Sequence, residues 1–229
     1  MKKMKTALRS LRNTLDLLLG KRLRLFAVAD ALVIGWTFLG MLIDAGDEPQ
    51  AVYRQVVMVP MLILGLPALA GLVEVERRAG CLDLALSSPA VERYFLRRAV
   101  AVSLVMVLQG WLLMLVTWLR EGHSFPLVSC LAQVAVVSAF LGALALFWAV
   151  RLKTAGGVWL ASIATALALQ RWFFHNPVPD RHFGVHAALF PREEALIDWT
   201  VSVAVLGSAT LLLYFYARRR LRRPELMIA

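Results

Sequence analysis

Six apolar stretches recur along the chain, separated by short segments that carry nearly all of its charge. They are Leu25–Ile43, Val52–Val73, Ala99–Leu119, Leu127–Val150, Ala155–Leu169 and Trp199–Ala217. A helix needs roughly 20 apolar residues to cross the hydrocarbon core of a bilayer. The fifth stretch is the shortest, and the second contains Pro60 and Pro67, which favour a kink. The pattern predicts an all-α polytopic membrane protein, with six spans in one transmembrane domain covering residues 25–229.

The first 24 residues have a different pattern. Within Ala7–Leu19, five leucines fall on one helical stripe while the charged residues fall elsewhere. This predicts an amphipathic helix lying in the cytoplasmic interface of the membrane. A helix packed on a soluble partner is the alternative. No small-residue cleavage site follows the first apolar run, so a cleavable signal peptide is not expected.

Composition narrows the class of protein. The chain has 229 residues, of which 60% are hydrophobic and 17% are charged, and its net charge is +10. Soluble domains are about half apolar and about a quarter charged, so a soluble globular or disordered protein is not expected. The positive charge does not gather on one basic face, which argues against a nucleic-acid partner.

The basic residues predict an orientation. With both termini in the cytoplasm, 20 of the 25 lysines and arginines lie on the inner side of a six-span topology. They fall in residues 1–24, 74–98, 151–157 and 218–229. Such a bias is typical of cytoplasmic segments, and a basic inner face attracts anionic membrane lipids.

The loop over residues 74–98 is the longest inner connection between spans. Gly80 allows a sharp turn after the second span, and Leu82, Ala85 and Leu86 then follow at helical spacing. Ser88 before Pro89 is a helix-start signal. The segment 79–89 is therefore predicted to form a short helix. Its apolar side would either dock on another protein or rest on lipid headgroups.

The same residues resemble the coupling-helix segment of type-2 ATP-binding-cassette (ABC) permeases. In that family a charged lead is followed by Gly, a small residue, Leu, an acid, further leucines and a Pro. Asp83 stands where the family usually has Glu. The matching residues here are Glu76, Arg77, Gly80, Leu82, Asp83, Leu86, Ser88 and Pro89. The interfacial N-terminal helix, the six spans and a re-entrant outer segment over 171–198 are similar to that family as well.

The resemblance implies a permease subunit of an exporter in the bacterial cytoplasmic (inner) membrane. Two permease chains, identical or different, would form the pathway, and separate ATPase subunits would dock on the coupling segments. ATP and Mg²⁺ would bind the partner ATPase, because this chain has no Gly-rich phosphate loop. No catalytic residue and no cofactor is therefore expected in the chain itself.

Two alternatives share this topology. One is a membrane scaffold or assembly subunit that transports nothing. The other is similar to the haem-exporter B subunit of cytochrome c maturation, although Ala79 replaces the Asp that precedes the glycine in that family. An intramembrane enzyme would need paired acid and base groups in the spans, where Asp30 is the only acidic residue.

Polar residues inside the spans are candidates for function, because they are costly in lipid. Asp30 lies near the start of the first span, where Arg22 or Arg24 could neutralise it; a lateral or translocation role is the alternative. Gln109 lies near the middle of the third span and is expected to make an interhelical hydrogen bond.

The outer side holds all four histidines. His182 and His186 are four residues apart, which on a helix would suit a metal or a haem iron. Gly184 between them weakens a helix, so solvated side chains are favoured and no metal site is predicted. Cys81 and Cys130 fall in different layers of the predicted topology, so no disulfide is expected.

Overall fold

The computed structural model describes residues 13, 23–43, 59–82, 91–121, 127–152, 154–175 and 196–223. Within these ranges the chain forms helices and no strands, which confirms the all-α prediction for the described part. The helices are α1 (Leu23–Ile43), α2 (Val59–Ala70), α3 (Glu74–Arg78), α4 (Val91–Glu121), α5 (Leu127–Ala149), α6 (Ala155–His175) and α7 (Leu196–Leu221).

In the described part of the chain, three helices are long and apolar enough to cross a membrane. They contain Val91–Leu119 of α4, all of α5, and Trp199–Leu221 of α7, which match the third, fourth and sixth predicted spans. α1 and α6 carry shorter apolar stretches, Ala27–Trp36 and Ala155–Thr165. α1 also exposes large apolar side chains, Leu32 at 69% and Trp36 at 76%. Such exposure suits contact with lipid or with another chain.

Other boundaries differ from the predicted ones. The helix in the second predicted span ends at Ala70, and a turn over residues 71–73 separates it from α3. α6 continues through the aromatic residues 172–174 to His175, whereas the fifth span was predicted to end at Leu169 and a re-entrant outer segment to begin at residue 171. The predicted interfacial helix Ala7–Leu19, apart from Asn13, and most of the outer segment, residues 176–195, lie outside the described residues.

α5 lies at the centre of the helix bundle. It packs against α2, α4, α6 and α7. In the most apolar stretch of α5, 67% is buried inside the bundle, whereas the corresponding share is 33% in α4 and 17% in α7. Small residues allow this close packing: a Cβ on Gly142 of α5 would lie 2.5 Å from Ser103 Oγ of α4. A larger side chain would therefore push α4 away from α5.

Pro67 lies inside α2 and precedes a tightened turn. The Gly71 N–H donates to both the Pro67 and the Ala68 carbonyl at 3.2 Å, and the Leu72 N–H donates to the Leu69 carbonyl at 3.2 Å. Helical bonding then resumes with the Val75 N–H on the Gly71 carbonyl at 3.2 Å. α3 thus follows α2 almost without a break and carries the chain from an apolar helix into a charged segment.

Candidate functional site

Several helix ends meet at one end of the bundle, which we call the basic end. It comprises α3 (Glu74–Arg78), the start of α4 (91–98), the α5–α6 turn (151–155) and the end of α7 (218–223). The described residues of these four segments include eleven arginines and three glutamates. α4 has 31 residues, so it is about 46 Å long and exceeds a hydrocarbon core of roughly 30 Å. Its charged start, 91–98, precedes the apolar stretch predicted to cross.

A glycine ends α3. Gly80 has a φ of +67°, in the left-handed region that favours glycine. The Gly80 N–H donates to the Arg77 carbonyl at 3.2 Å and the Cys81 N–H donates to the Glu76 carbonyl at 3.0 Å. These two bonds form a Schellman motif, which satisfies the last carbonyls of the helix. The predicted sharp turn at Gly80 is confirmed, and it sets the direction in which the chain leaves α3.

Glu76 joins α3 to α4. Its carboxylate forms an ion pair with Arg98 at 2.6 Å and accepts a hydrogen bond from the Tyr94 hydroxyl at 2.6 Å. The Arg98 guanidinium also donates to the Tyr94 hydroxyl and lies over its ring, 4.2 Å from the centroid. Burial and then the bond to Glu76 raise the pKa of Tyr94 to about 12. The phenol therefore stays protonated and remains a donor.

Two further bonds join α3 to the α5–α6 turn. The Ala155 N–H, at the start of α6, donates to the Glu74 carboxylate, and the Arg77 guanidinium donates to the Leu152 carbonyl at 3.4 Å. A carboxylate at a helix N-terminus satisfies a free N–H and complements the positive end of the helix dipole. Glu74, Glu76 and Arg77 thus fix one five-residue helix to two neighbouring elements.

Glu92 joins α4 to α7. Its carboxylate accepts a bond from Arg218 at 2.5 Å and another from Arg222. The hydrogen bond from Arg222, supported by Arg218, lowers the pKa of Glu92. On the other side of α7, Arg151 donates to the Tyr216 hydroxyl at 2.6 and 3.1 Å and lies 4.7 Å from the Phe147 ring centroid. Arginines thus connect the ends of α4, α5 and α7.

The predicted coupling residues divide into three groups. Glu76 and Leu82 are buried, at 9% and 8% exposure, so neither presents its side chain to a partner. Arg77 is half-buried, and Gly80 is exposed. Asp83, Leu86, Ser88 and Pro89 lie outside the described residues. Of the predicted helix 79–89 only residues 79–82 are described, and its first residues are not helical, because Ala79 caps α3 and Gly80 turns the chain.

The two polar candidates inside the spans are brought together. The Gln109 side-chain amide of α4 donates a hydrogen bond to Asp30 Oδ2 of α1. Asp30 is 7% exposed, and among the described residues neither its Oδ1 nor Gln109 Oε1 has a hydrogen-bond partner. The interhelical hydrogen bond expected for Gln109 is confirmed. The structure therefore gives Asp30 a glutamine as partner, while the side chains of Arg22 and Arg24, the expected arginine partners, lie outside the described residues.

Other contacts had no signal in the sequence. The Trp199 indole N–H of α7 donates to Gln133 Oε1 of α5 at 2.9 Å. This pair, like Glu92 with Arg218, joins residues far apart in the chain, and helical spacing shows only which residues share a face of one helix. His182 and His186 lie outside the described residues. Among those that are described, no group of three or more His, Cys, Asp or Glu residues could hold a metal ion.

Comparison with known proteins gives no relative. No family model, no curated protein and no solved structure matches the chain. Its class therefore rests on its helices: the described part is all-helical, and three helices are long and apolar enough to span a membrane.

Proposed function

We propose that this chain is the permease subunit of an ABC exporter. Two such chains form the pathway through six spans each, both termini are cytoplasmic, and separate ATPase subunits bind ATP and Mg²⁺. The coupling segment 79–89 takes the contact with the ATPase. The membrane is the bacterial inner membrane. A non-transporting scaffold remains the alternative that shares this topology.

The attachment of α3 is the observation that supports this function most directly. Glu76 bonds to α4, while Glu74 and Arg77 bond to the α5–α6 turn. A displacement of the segment after Gly80 would therefore be passed to α4 and to the turn between α5 and α6. Coupling needs such an element, because ATPase closure must become a movement of the spans.

Glu76 and Leu82 have a role inside the chain in this proposal. Glu76 holds α3 on α4, and Leu82 anchors the start of the coupling segment in the apolar core. The contact with the ATPase then falls to the residues beyond Leu82, Asp83 foremost.

The first experiment is purification of the full chain in mild detergent, with identification of the chains that elute with it. The proposal expects a nucleotide-binding ATPase in equal amount to this chain. A monomer recovered without such a partner would favour the scaffold and overturn the proposal.

The second experiment measures ATP hydrolysis by the assembled complex in lipid. Asp83→Lys is expected to remove the stimulation of the ATPase by the permease without preventing membrane insertion. Leu82→Arg is unsuitable, since it would place a charge in a buried site. Asp198→Lys makes the same charge change near the start of α7, at the end of that helix away from the basic end. It is expected to leave the stimulation intact. Equal rates for Asp83→Lys and the unaltered complex would contradict the coupling role.

A further inference from the structure

An apolar groove runs along the surface between α4, α5 and α7. Its volume is about 330 Å³, and its lining includes Leu96, Val100, Leu104, Ala139, Gly142 and Tyr214. The groove is open to the surroundings of the bundle: Val100 is 46% exposed and Leu104 is 49% exposed. It lies along three helices that are long and apolar enough to cross a membrane.

Small residues on α5 create the groove. Ala135, Ala139, Gly142 and Ala143 form its floor, while longer side chains of α4 and α7 form its walls. An empty groove of this kind forfeits van der Waals contacts along its lining. In the hydrocarbon layer a chain of methylene groups would restore those contacts.

Arginines surround one end of the groove. Glu92 lies four residues before Leu96 on α4, and Arg218 lies four residues after Tyr214 on α7, so their ion pair lies one helical turn beyond the lining. Arg93 and Arg97 are exposed and precede Leu96 and Val100 by three residues each. The Arg222 side chain is 58% exposed.

The charges at this end do not balance. Among the described residues of this end, the arginines at 93, 97, 218 and 222 have one carboxylate beside them, that of Glu92, which pairs with Arg218 and Arg222, so three positive charges are in excess. Guanidinium groups bind phosphate oxygens through paired hydrogen bonds. An apolar groove that ends in arginines therefore matches a molecule with an acyl chain and an anionic phosphate head.

We propose that this groove binds an anionic phospholipid, with one acyl chain along α5 and its phosphate against the four arginines. The site does not depend on the proposed transport function. A second copy of the chain is a poorer occupant. If related by a two-fold axis along the bilayer normal, it would bring its own four arginines to the same level, where like charges repel.

The test uses the full chain, stripped of lipid in detergent, with dioleoylphosphatidylglycerol or dioleoylphosphatidylcholine added in mixed micelles. The two lipids share their acyl chains and differ in head charge. Native mass spectrometry measures bound lipid, and heating gives the unfolding midpoint. Retention of phosphatidylglycerol and a higher midpoint with it than with phosphatidylcholine are expected.

Two variants address the two parts of the site. Ala139→Phe fills the groove from an exposed position and is expected to abolish retention of phosphatidylglycerol. Arg93→Gln with Arg97→Gln keeps the groove and removes two exposed charges. It is expected to weaken binding about fivefold per arginine.

Matched controls carry the same changes elsewhere. Ala164→Phe enlarges an exposed alanine of α6, and Arg219→Gln with Arg223→Gln removes two exposed arginines on another face of α7. Both controls are expected to retain the lipid. Equal loss in the controls, no preference between the two lipids, or full retention by Ala139→Phe would overturn the proposal. So would a change from dimer to monomer in Ala139→Phe, which would assign the groove to a second copy.

Discussion

The Gln109 amide of α4 donates to the Asp30 carboxylate of α1, and this bond joins the only acidic residue of the predicted spans to another helix. Each side chain satisfies part of the hydrogen-bonding capacity of the other, and Asp30 is buried while Gln109 is half-buried. Loss of one partner leaves a polar group unpaired, whereas loss of both removes the need for pairing.

Asp30→Leu and Gln109→Leu are therefore expected to destabilise the chain by about 1–3 kcal/mol each. The double variant should lose less than the sum of the two, because no polar group is then left alone. Thermal unfolding in detergent measures all four proteins of this cycle. Gly35→Ala on α1, where an added Cβ meets no atom within 4 Å, is the control. Strictly additive losses would show that the two residues do not interact.

The sequence could predict features that depend on residues close together in the chain, but not contacts between different helices. The lengths of the apolar stretches predicted the spans that correspond to α4, α5 and α7, and Gly80 predicted a turn. Both features depend on residues that are close together in the sequence. That Asp30 is the partner of Gln109 was not predicted, since this depends on which face of α1 meets α4. The Glu92–Arg218 pair joins residues 126 positions apart, and one sequence carries no signal for that.

Glu76 shows a second limit of the sequence. Its motif resembles a segment that docks on an ATPase, and a charged residue in such a loop is expected at the surface. The structure buries it against Arg98, because α3 continues α2 closely and lies along the start of α4. A motif identifies the segment but does not show which of its side chains point inward.

Removal of the Glu76 charge tests its structural role. Glu76→Gln keeps a hydrogen-bond acceptor for Tyr94 but leaves Arg98, at 12% side-chain exposure, without its counter-charge. Loss of one partner from a buried pair costs about 3 kcal/mol or more. A lower unfolding midpoint is expected, measured by heating in detergent. Glu92→Gln changes a pair whose arginines are 40% and 58% exposed, so it should lower the midpoint less. The reverse order would contradict this assignment.

Gly80→Ala tests the turn that ends α3. An alanine at a φ of +67° meets no atom within 4 Å, so its cost is conformational strain of about 1–2 kcal/mol. Gly156→Ala is the matched control: it lies in α6, is equally free of neighbours, and should stabilise by about 0.5–1 kcal/mol because alanine favours a helix. Thermal unfolding of both variants should therefore give shifts of opposite sign. If Gly80→Ala caused no loss of stability, the Schellman motif would not constrain the end of α3.

Gly142→Ala tests the contact between α5 and α4. The added Cβ would lie 2.5 Å from Ser103 Oγ, which itself donates to the Ser138 carbonyl at 3.3 Å. Overpacking of this kind costs about 1–3 kcal/mol. Combination with Ser103→Ala removes the clashing oxygen, so the double variant should recover most of the loss. Gly207→Ala on α7 has open space around its Cβ and should show no such loss. Failure of the rescue would place the strain elsewhere.

Cys81 and Cys130 allow the proposed orientation to be measured without added cysteines. Cys81 is exposed just after α3, whereas Cys130 is fully buried in α5. A membrane-impermeant maleimide should therefore label Cys81 and leave Cys130 unreacted. If the basic end faces the cytoplasm, as the arginine distribution predicts, inside-out vesicles should be labelled and right-side-out vesicles should not. Cys81→Ser is the control and should abolish labelling in both. Labelling of right-side-out vesicles would reverse the orientation and remove the coupling segment from the side where ATP is available.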